Sequence, residues 1–172
     1  MRRSGFTLLE LLVAIIIIAV LATLSIPVLR QMHARAYAAG CANNLRQIGI
    51  ALNIYLSEHN NRFPVLAAGR KSKDEEVDTI DTVLGEYIDN PEVFHCKADT
   101  GNFFEETGTS YFWNNALNGQ NVTSLNFLGI VEDKSGIPVI TDKENFHLHW
   151  GDEVNILYAD GHTDKNLILR VE

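Results

Sequence analysis

The chain has 172 residues, with 14 Lys or Arg against 22 Asp or Glu for a net charge of −8, and 46% of it is apolar. The acidic balance excludes nucleic-acid binding as its main business, because phosphate affinity comes from clustered cations. The length leaves room for a membrane-length segment and one small domain with a modest core, but not for a second domain.

Met1-Arg2-Arg3-Ser4-Gly5 is a short basic leader ending in a small residue, and an apolar run follows from Leu11 to Leu29. In a secretory signal peptide the cleavage site comes after the apolar region. Here Gly5 precedes it, so a cut at Gly5 leaves the whole apolar helix on the mature chain. As a helix, Phe6 to Leu29 spans roughly 36 Å at 1.5 Å per residue, enough for a bilayer core of about 30 Å. Glu10 is the single charge in that span. A carboxylate at the centre of a membrane helix costs roughly 2.5–3.5 kcal/mol on insertion scales, so such residues usually have a partner and a role; the alternative is that Glu10 sits near the cytoplasmic interface and reaches water with no part in assembly. No Lys, Arg or His lies between Phe6 and Leu29, but cleavage after Gly5 would create a cation at Phe6, one turn from Glu10 in its own chain and available to a neighbour's Glu10. Arg2 and Arg3 on one side face Arg30, His33 and Arg35 on the other, so the positive-inside signal is nearly balanced. Pro27 lacks an N–H and crowds the preceding turn, which predicts a kink or local melting near Thr23 to Ser25.

The phrase Gly5-Phe6-Thr7-Leu8-Leu9-Glu10 resembles the cleavage and methylation motif of type IV prepilins and type II secretion pseudopilins, and Pro27 stands where many of those helices carry a proline. The resemblance implies that a prepilin peptidase cuts between Gly5 and Phe6 and methylates the new amine of Phe6. It also implies that Glu10 serves filament assembly and that the N-terminus is cytoplasmic.

Beyond the membrane segment, Ala34, Ala38, Cys41, Leu45, Ile48, Leu52 and Tyr55 recur at alternating steps of four and three. That spacing is one apolar stripe of a helix, either a coiled-coil seam or a face laid on a globular head, and its small residues at the start with large ones later suit the head. Gly40 and Gly49 weaken it by about 1 kcal/mol each, and it should end near Ser57 to Asn61. From Ser57 onward there are nine Lys or Arg and 21 Asp or Glu, a net −12, which fits a solvated head outside the cytoplasm. Gly69 to Asp78 reads as a loop, and Ile80 to Ile88 as a short helix with Asp78 or Thr79 as its cap. Pro91 to Gly108 reads as irregular. Asn126 to Val131, Ile137 to Thr141, Val154 to Ala159 and His162 to Val171 read as strands, the last two joined by a two-residue hairpin at Asp160-Gly161 whose turn positions both need positive φ.

A second resemblance rests on Cys41 to Gly49, Phe63-Pro64, Val93 to Cys96, Ser110-Tyr111 and Tyr158 to His162. These phrases are similar to a group of pilin-like proteins with a C-terminal signature of His, nine residues, then Asp-Gly. Ten residues separate His149 from Asp160 here, a departure of one. Cys41 and Cys96 are the only cysteines. In an oxidising compartment they would join; the alternatives are two buried thiols or a shared metal. His147, His149, Asp152, Asp160, His162 and Asp164 form the one polar cluster with metal-binding chemistry, weighed against a solvated hairpin. A structural calcium or other divalent ion, or a catalytic zinc, on His149, Asp160 and His162 is the metal reading of that cluster, and oxygens of Asp99, Asn102, Glu105 or Glu106 are an equal alternative for calcium; otherwise no cofactor is expected. No nucleophile elbow, phosphate-binding loop or zinc-protease motif is present, so the reading is not an enzyme.

These observations predict an α+β, pilin-like chain: leader 1–5, membrane and filament-core helix 6–29, amphipathic continuation 30–59 and globular head 60–172. The expected role is a structural pilin or pseudopilin, with a small head favouring the pseudopilin. Its partners would be identical and related subunits, a prepilin peptidase, an assembly ATPase and an inner-membrane platform, and it would pass from the inner membrane into a periplasmic or extracellular filament. The alternative is an inner-membrane-anchored protein whose extracytoplasmic head binds a ligand or metal without forming filaments.

Overall fold

The structure, a computed structural model, describes residues 7–125, 133–144 and 154–165. Its first element is a single α-helix, α1, Leu8–Glu58. Thr7 caps its start in a reciprocal box: the Glu10 amide donates to the Thr7 hydroxyl (3.3 Å), and the Glu10 carboxylate accepts from the Thr7 backbone N–H (2.9 Å). No residue from Leu8 to Tyr37 is buried, whereas Ala38, Cys41, Leu45, Ile48, Ala51, Leu52 and Leu56 are. The helix therefore has two halves of different character, an exposed one that is apolar nearly all round and an amphipathic one with a buried face.

The local melting expected near Pro27 does not occur, since α1 runs through Pro27 unbroken. The Thr23 hydroxyl donates to the Ala19 carbonyl and the Ser25 hydroxyl to that of Leu21, both at 2.8 Å. Both hydroxyls bond back one turn, so neither meets the Thr23 carbonyl, which is the one left without a donor by proline. Two consecutive asparagines end the helix. Asn60 and Asn61 adopt φ of +54° and +59°, and the Asn61 N–H bonds the Leu56 carbonyl at 2.8 Å. Asparagine tolerates this left-handed conformation, which turns the chain away from the helix axis.

The head begins with an extended stretch and then α2, Ile80–Val83, which continues as a 3₁₀ turn, Leu84–Tyr87. Thr79 is the N-cap. The span from Pro91 to Gly108 is more ordered than expected: Pro91–Phe94 is a 3₁₀ turn, and Phe103–Thr107 forms a short helix, α3. Both are too short to show a helical period, and they are held by side-chain caps instead.

Four antiparallel strands follow in the order β1-β2-β3-β4: Tyr111–Trp113, Pro138–Asp142, Ile156–Tyr158 and Thr163–Asp164. Strand β1 had no sequence signal, because three residues cannot display alternation. It exists by pairing Tyr111 with Asp142 and Trp113 with Ile140. The hairpin between β3 and β4 also differs from expectation. Only Gly161 takes positive φ, +91°, and its N–H bonds the Tyr158 carbonyl at 2.9 Å. Asp160 keeps negative φ, so the turn is the longer kind that closes on one left-handed glycine. The expected strand Asn126 to Val131 and the last part of His162 to Val171 lie outside the described residues.

The sheet packs on the second half of α1. Tyr111, Trp113, Ile137, Val139, Ile140 and Leu157 are buried with Leu45, Ile48 and Leu52 in one core. Close approach depends on Gly49: a Cβ there would fall 3.1 and 3.2 Å from the Leu157 Cδ atoms, tighter than ordinary contact allows.

Candidate functional site

The candidate features are the exposed helix, the clamp joining helix to head, and the polar groups behind that clamp. At the helix start, Glu10 also accepts the Thr7 hydroxyl proton (2.9 Å), so Thr7 satisfies the carboxylate within its own chain. Gly5 and Phe6 lie outside the described residues. Among the described residues, α1 is the helix long and apolar enough to cross a membrane.

The clamp is built from Cys41 on α1 and Cys96 after the Pro91–Phe94 turn, which are joined as a disulfide with Cα atoms 5.0 Å apart. One turn along α1, the Asn44 amide donates to the His95 carbonyl (2.8 Å). The Cys96 N–H donates to the Ser110 hydroxyl (3.1 Å), which in turn donates to Asp99 (2.7 Å). Asp99 also receives the N–H groups of Gly101, Phe103 and Phe104 at 3.1, 3.2 and 3.0 Å. Four donors occupy its oxygens, which places Asp99 as the anchor of α3, the N-terminal carboxylate that a short helix favours. Sequence reasoning had offered this residue as an ion ligand.

A second polar anchor was missed altogether. Asn118 accepts from the Trp113 indole N–H (2.8 Å) and the Leu66 N–H (3.1 Å), and donates to the Leu66 carbonyl (2.9 Å). The one available signal was the dipeptide Asn118-Gly119, which marks a turn without telling what it holds.

Behind the clamp lies Lys143, a buried lysine. Its Nζ donates to the Thr107 hydroxyl and stands 5.6 Å from the ring centroids of both Phe103 and Phe112. Burial pushes its ammonium down to about 8 from the usual 10.5, against the pull of Asp81 and Asp99 and with help from Arg70. The unfolded chain therefore holds this proton between about 8 and 10.5 while the folded chain has released it, so stability rises with pH in that window and falls again as pH drops through 8. Lys143→Met keeps an unbranched stem on the two rings and removes the charge. It is expected to gain on the order of 1 kcal/mol at neutral pH, after screening, and to flatten the alkaline rise. Urea midpoints of parent and variant from neutral to alkaline pH check both effects.

Tyr111 is fully buried. Burial and the Asp142 carboxylate push its phenol upward, and the Asn44 side chain opposes them, so it stays protonated. Arg70 closes the region by donating to the Thr107 carbonyl (2.7 Å) and pairing with Asp81 (2.5 Å). Gly108, with φ of +87°, leaves the space these two need. A cleft of about 580 Å³ opens beside the pair, with Ile88, Phe94 and Phe104 on its walls.

At the hairpin, His162 Nδ1 lies 2.5 Å from Asp160 and its ring stacks on Tyr158 at 4.5 Å between centroids. His147, His149 and Asp152 fall outside the described residues. Among the described residues, no group of three or more His, Cys, Asp or Glu is placed to hold a metal.

The family model described as the prokaryotic N-terminal methylation motif matches residues 1–26. The chain is 37% identical over 71 residues to a type II secretion system core protein G of Pectobacterium carotovorum subsp. carotovorum, covering 41% of this chain and 45% of that protein. It is 37% identical over 68 residues to a type II secretion system core protein G of Aeromonas hydrophila, covering 40% of this chain and 47% of that protein. The chain thus spans about half the length of the relatives it matches. No solved structure matches it. Residues 1–26 thus match the model of the prokaryotic N-terminal methylation motif, in a chain that is similar over part of its length to type II secretion core protein G and is built as a long helix with an antiparallel-sheet head.

Proposed function

We propose that this chain is the structural subunit of a type II secretion filament, a pseudopilin without catalytic activity. The observation that carries the reading is the pairing of an N-terminal methylation motif with an exposed apolar helix that keeps a single carboxylate one turn from the cut. In this reading residues 1–5 are removed by a prepilin peptidase and Phe6 is methylated. Residues 6–29 hold the subunit in the inner membrane, N-terminus cytoplasmic, and later bundle with like helices. Residues 30–59 carry the head, 60–172, into the periplasm.

Assembly follows from solvation. In the bilayer Glu10 is satisfied by Thr7 and the lipid-facing side chains by acyl tails. In a bundle the Phe6 amine of a neighbour supplies a cation, and pairing it with Glu10 favours one stagger over others because an unpaired charge out of water is costly. An ATPase and a membrane platform would supply the work of extraction. Other subunits of the same kind are the partners, and the head sets which of them fit.

Mass spectrometry of the native N-terminus tests the reading. A chain beginning at Phe6 and carrying one added methyl group is the expected result. A chain still beginning at Met1 and recovered as single copies would overturn it.

A further inference from the structure

The outward side of the second half of α1 carries charge on its two edges. Counting about 100° per residue, the residues buried against the head, Ala38 to Leu56, occupy one sector of the helix. The opposite sector carries an exposed strip in which Met32 is 63%, Ile50 62% and Ile54 42% accessible. On one edge of that strip stand Arg35 and Arg46, both exposed, three turns apart and about 20° from alignment. Among the described residues no carboxylate pairs with either. On the other edge, about 130° around the helix from the arginines, runs a groove of about 330 Å³ lined by Gln47, Ile50, Ala51, Tyr87, Asp89 and Val93. Asp89 stands on its rim, with the exposed Glu86 and Glu92 on the same segment. Of these acids, only Glu92 has a basic side chain against its carboxylate among the described residues, His95 Nδ1 at 3.2 Å.

We infer that these two edges are the matching halves of one contact, in which Arg35 and Arg46 of one copy dock on the acid-rimmed groove of the next, with the Ile50 strip buried between them. The inference rests on the filament reading and names the surface through which copies meet. A contact between two different faces of the same chain is heterologous, and when repeated it builds an open helical array and not a closed dimer. The apolar strip supplies area, and the charges select the partner and the register. Lipid phosphates are the other ligand that arginines beside a membrane segment would take. Arg46, however, lies 17 residues past Leu29, roughly 26 Å along the axis, whereas the headgroup layer reaches only about 5–8 Å beyond the hydrocarbon core. A second copy is within reach of Arg46, and the membrane is not.

The test uses the full chain, expressed with its own secretion machinery, and quantifies filaments sheared from cells. Arg46→Glu and Asp89→Arg are each expected to lower the yield about tenfold, and the double variant to recover it to within about twofold, because the pair is then reversed and intact. In parallel, cells making both an Arg46→Cys chain and an Asp89→Cys chain, treated with a bifunctional maleimide, should give a cross-linked dimer that neither variant gives alone. Single reversals without effect on a chain that otherwise forms filaments, or a double variant no better than the singles together with no cross-linked dimer, would overturn the contact and leave the filament reading standing. Absence of filaments from the unaltered chain would overturn both.

Discussion

Cys96→Ala is expected to lower the unfolding free energy by about 2–4 kcal/mol, read as a lower urea midpoint of the detergent-solubilised chain. Cys41 and Cys96 are 55 residues apart in sequence, and closing a loop of that size removes about 4 kcal/mol of entropy from the unfolded chain in the loop-closure model. Native strain and residual unfolded structure reduce the yield. The dependence on urea should also steepen, since an uncrosslinked denatured chain exposes more surface. Cys96→Ser should be worse than Cys96→Ala by about 1 kcal/mol, because position 96 is fully buried and a hydroxyl there needs a partner. The functional stake lies in register. The bridge and the Asn44–His95 bond fix how far along α1 the head sits, and therefore where the head lies relative to the membrane. An alanine variant with the parent's midpoint would show that core packing alone holds helix to head.

Glu10→Gln is expected to abolish filament assembly while cleavage after Gly5 continues. Glutamine at the third helical position completes the same capping box as glutamate, so the Thr7 bonds seen at 2.9 Å survive and only the charge is lost. Leaving a neighbour's amine unpaired out of water costs about 2–5 kcal/mol per contact, and a filament repeats that cost at every subunit. Thr7→Val separates the two roles from the other side. It removes the hydroxyl cap, worth about 1 kcal/mol, and keeps the carboxylate, so assembly should persist at reduced yield. Immunoblots of sheared filaments and of the processed membrane form distinguish these outcomes. Filaments from Glu10→Gln at parental level would remove the charge from the assembly mechanism.

Several anchors of the head could not have been read from the chain. Asp99 read from sequence as one of four neighbouring residues whose oxygens could hold an ion. Its four donors come from a turn it initiates and from Ser110, 11 residues away. Lys143 carried no signal at all, since nothing local tells that Phe103 and Phe112 will close over it. The same holds for Asn118 and for β1, whose partners lie in distant segments.

What the sequence determined by itself is the helix: its apolar first half, the stripe from Ala38 to Leu52 that faces the head, and its end near Ser57 to Asn61. The stripe repeats every three or four residues, so each turn restates the pattern and a single chain displays it without help. The β-branched runs that became β2 and β3, and the start of β4, were legible as well; the tertiary structure decided β1, the single-glycine form of the hairpin, and the Asp99 and Lys143 anchors inside the head. A three-residue strand such as β1 has too few positions to announce a preference before its partner arrives, and Lys143 is held by groups more than thirty residues away.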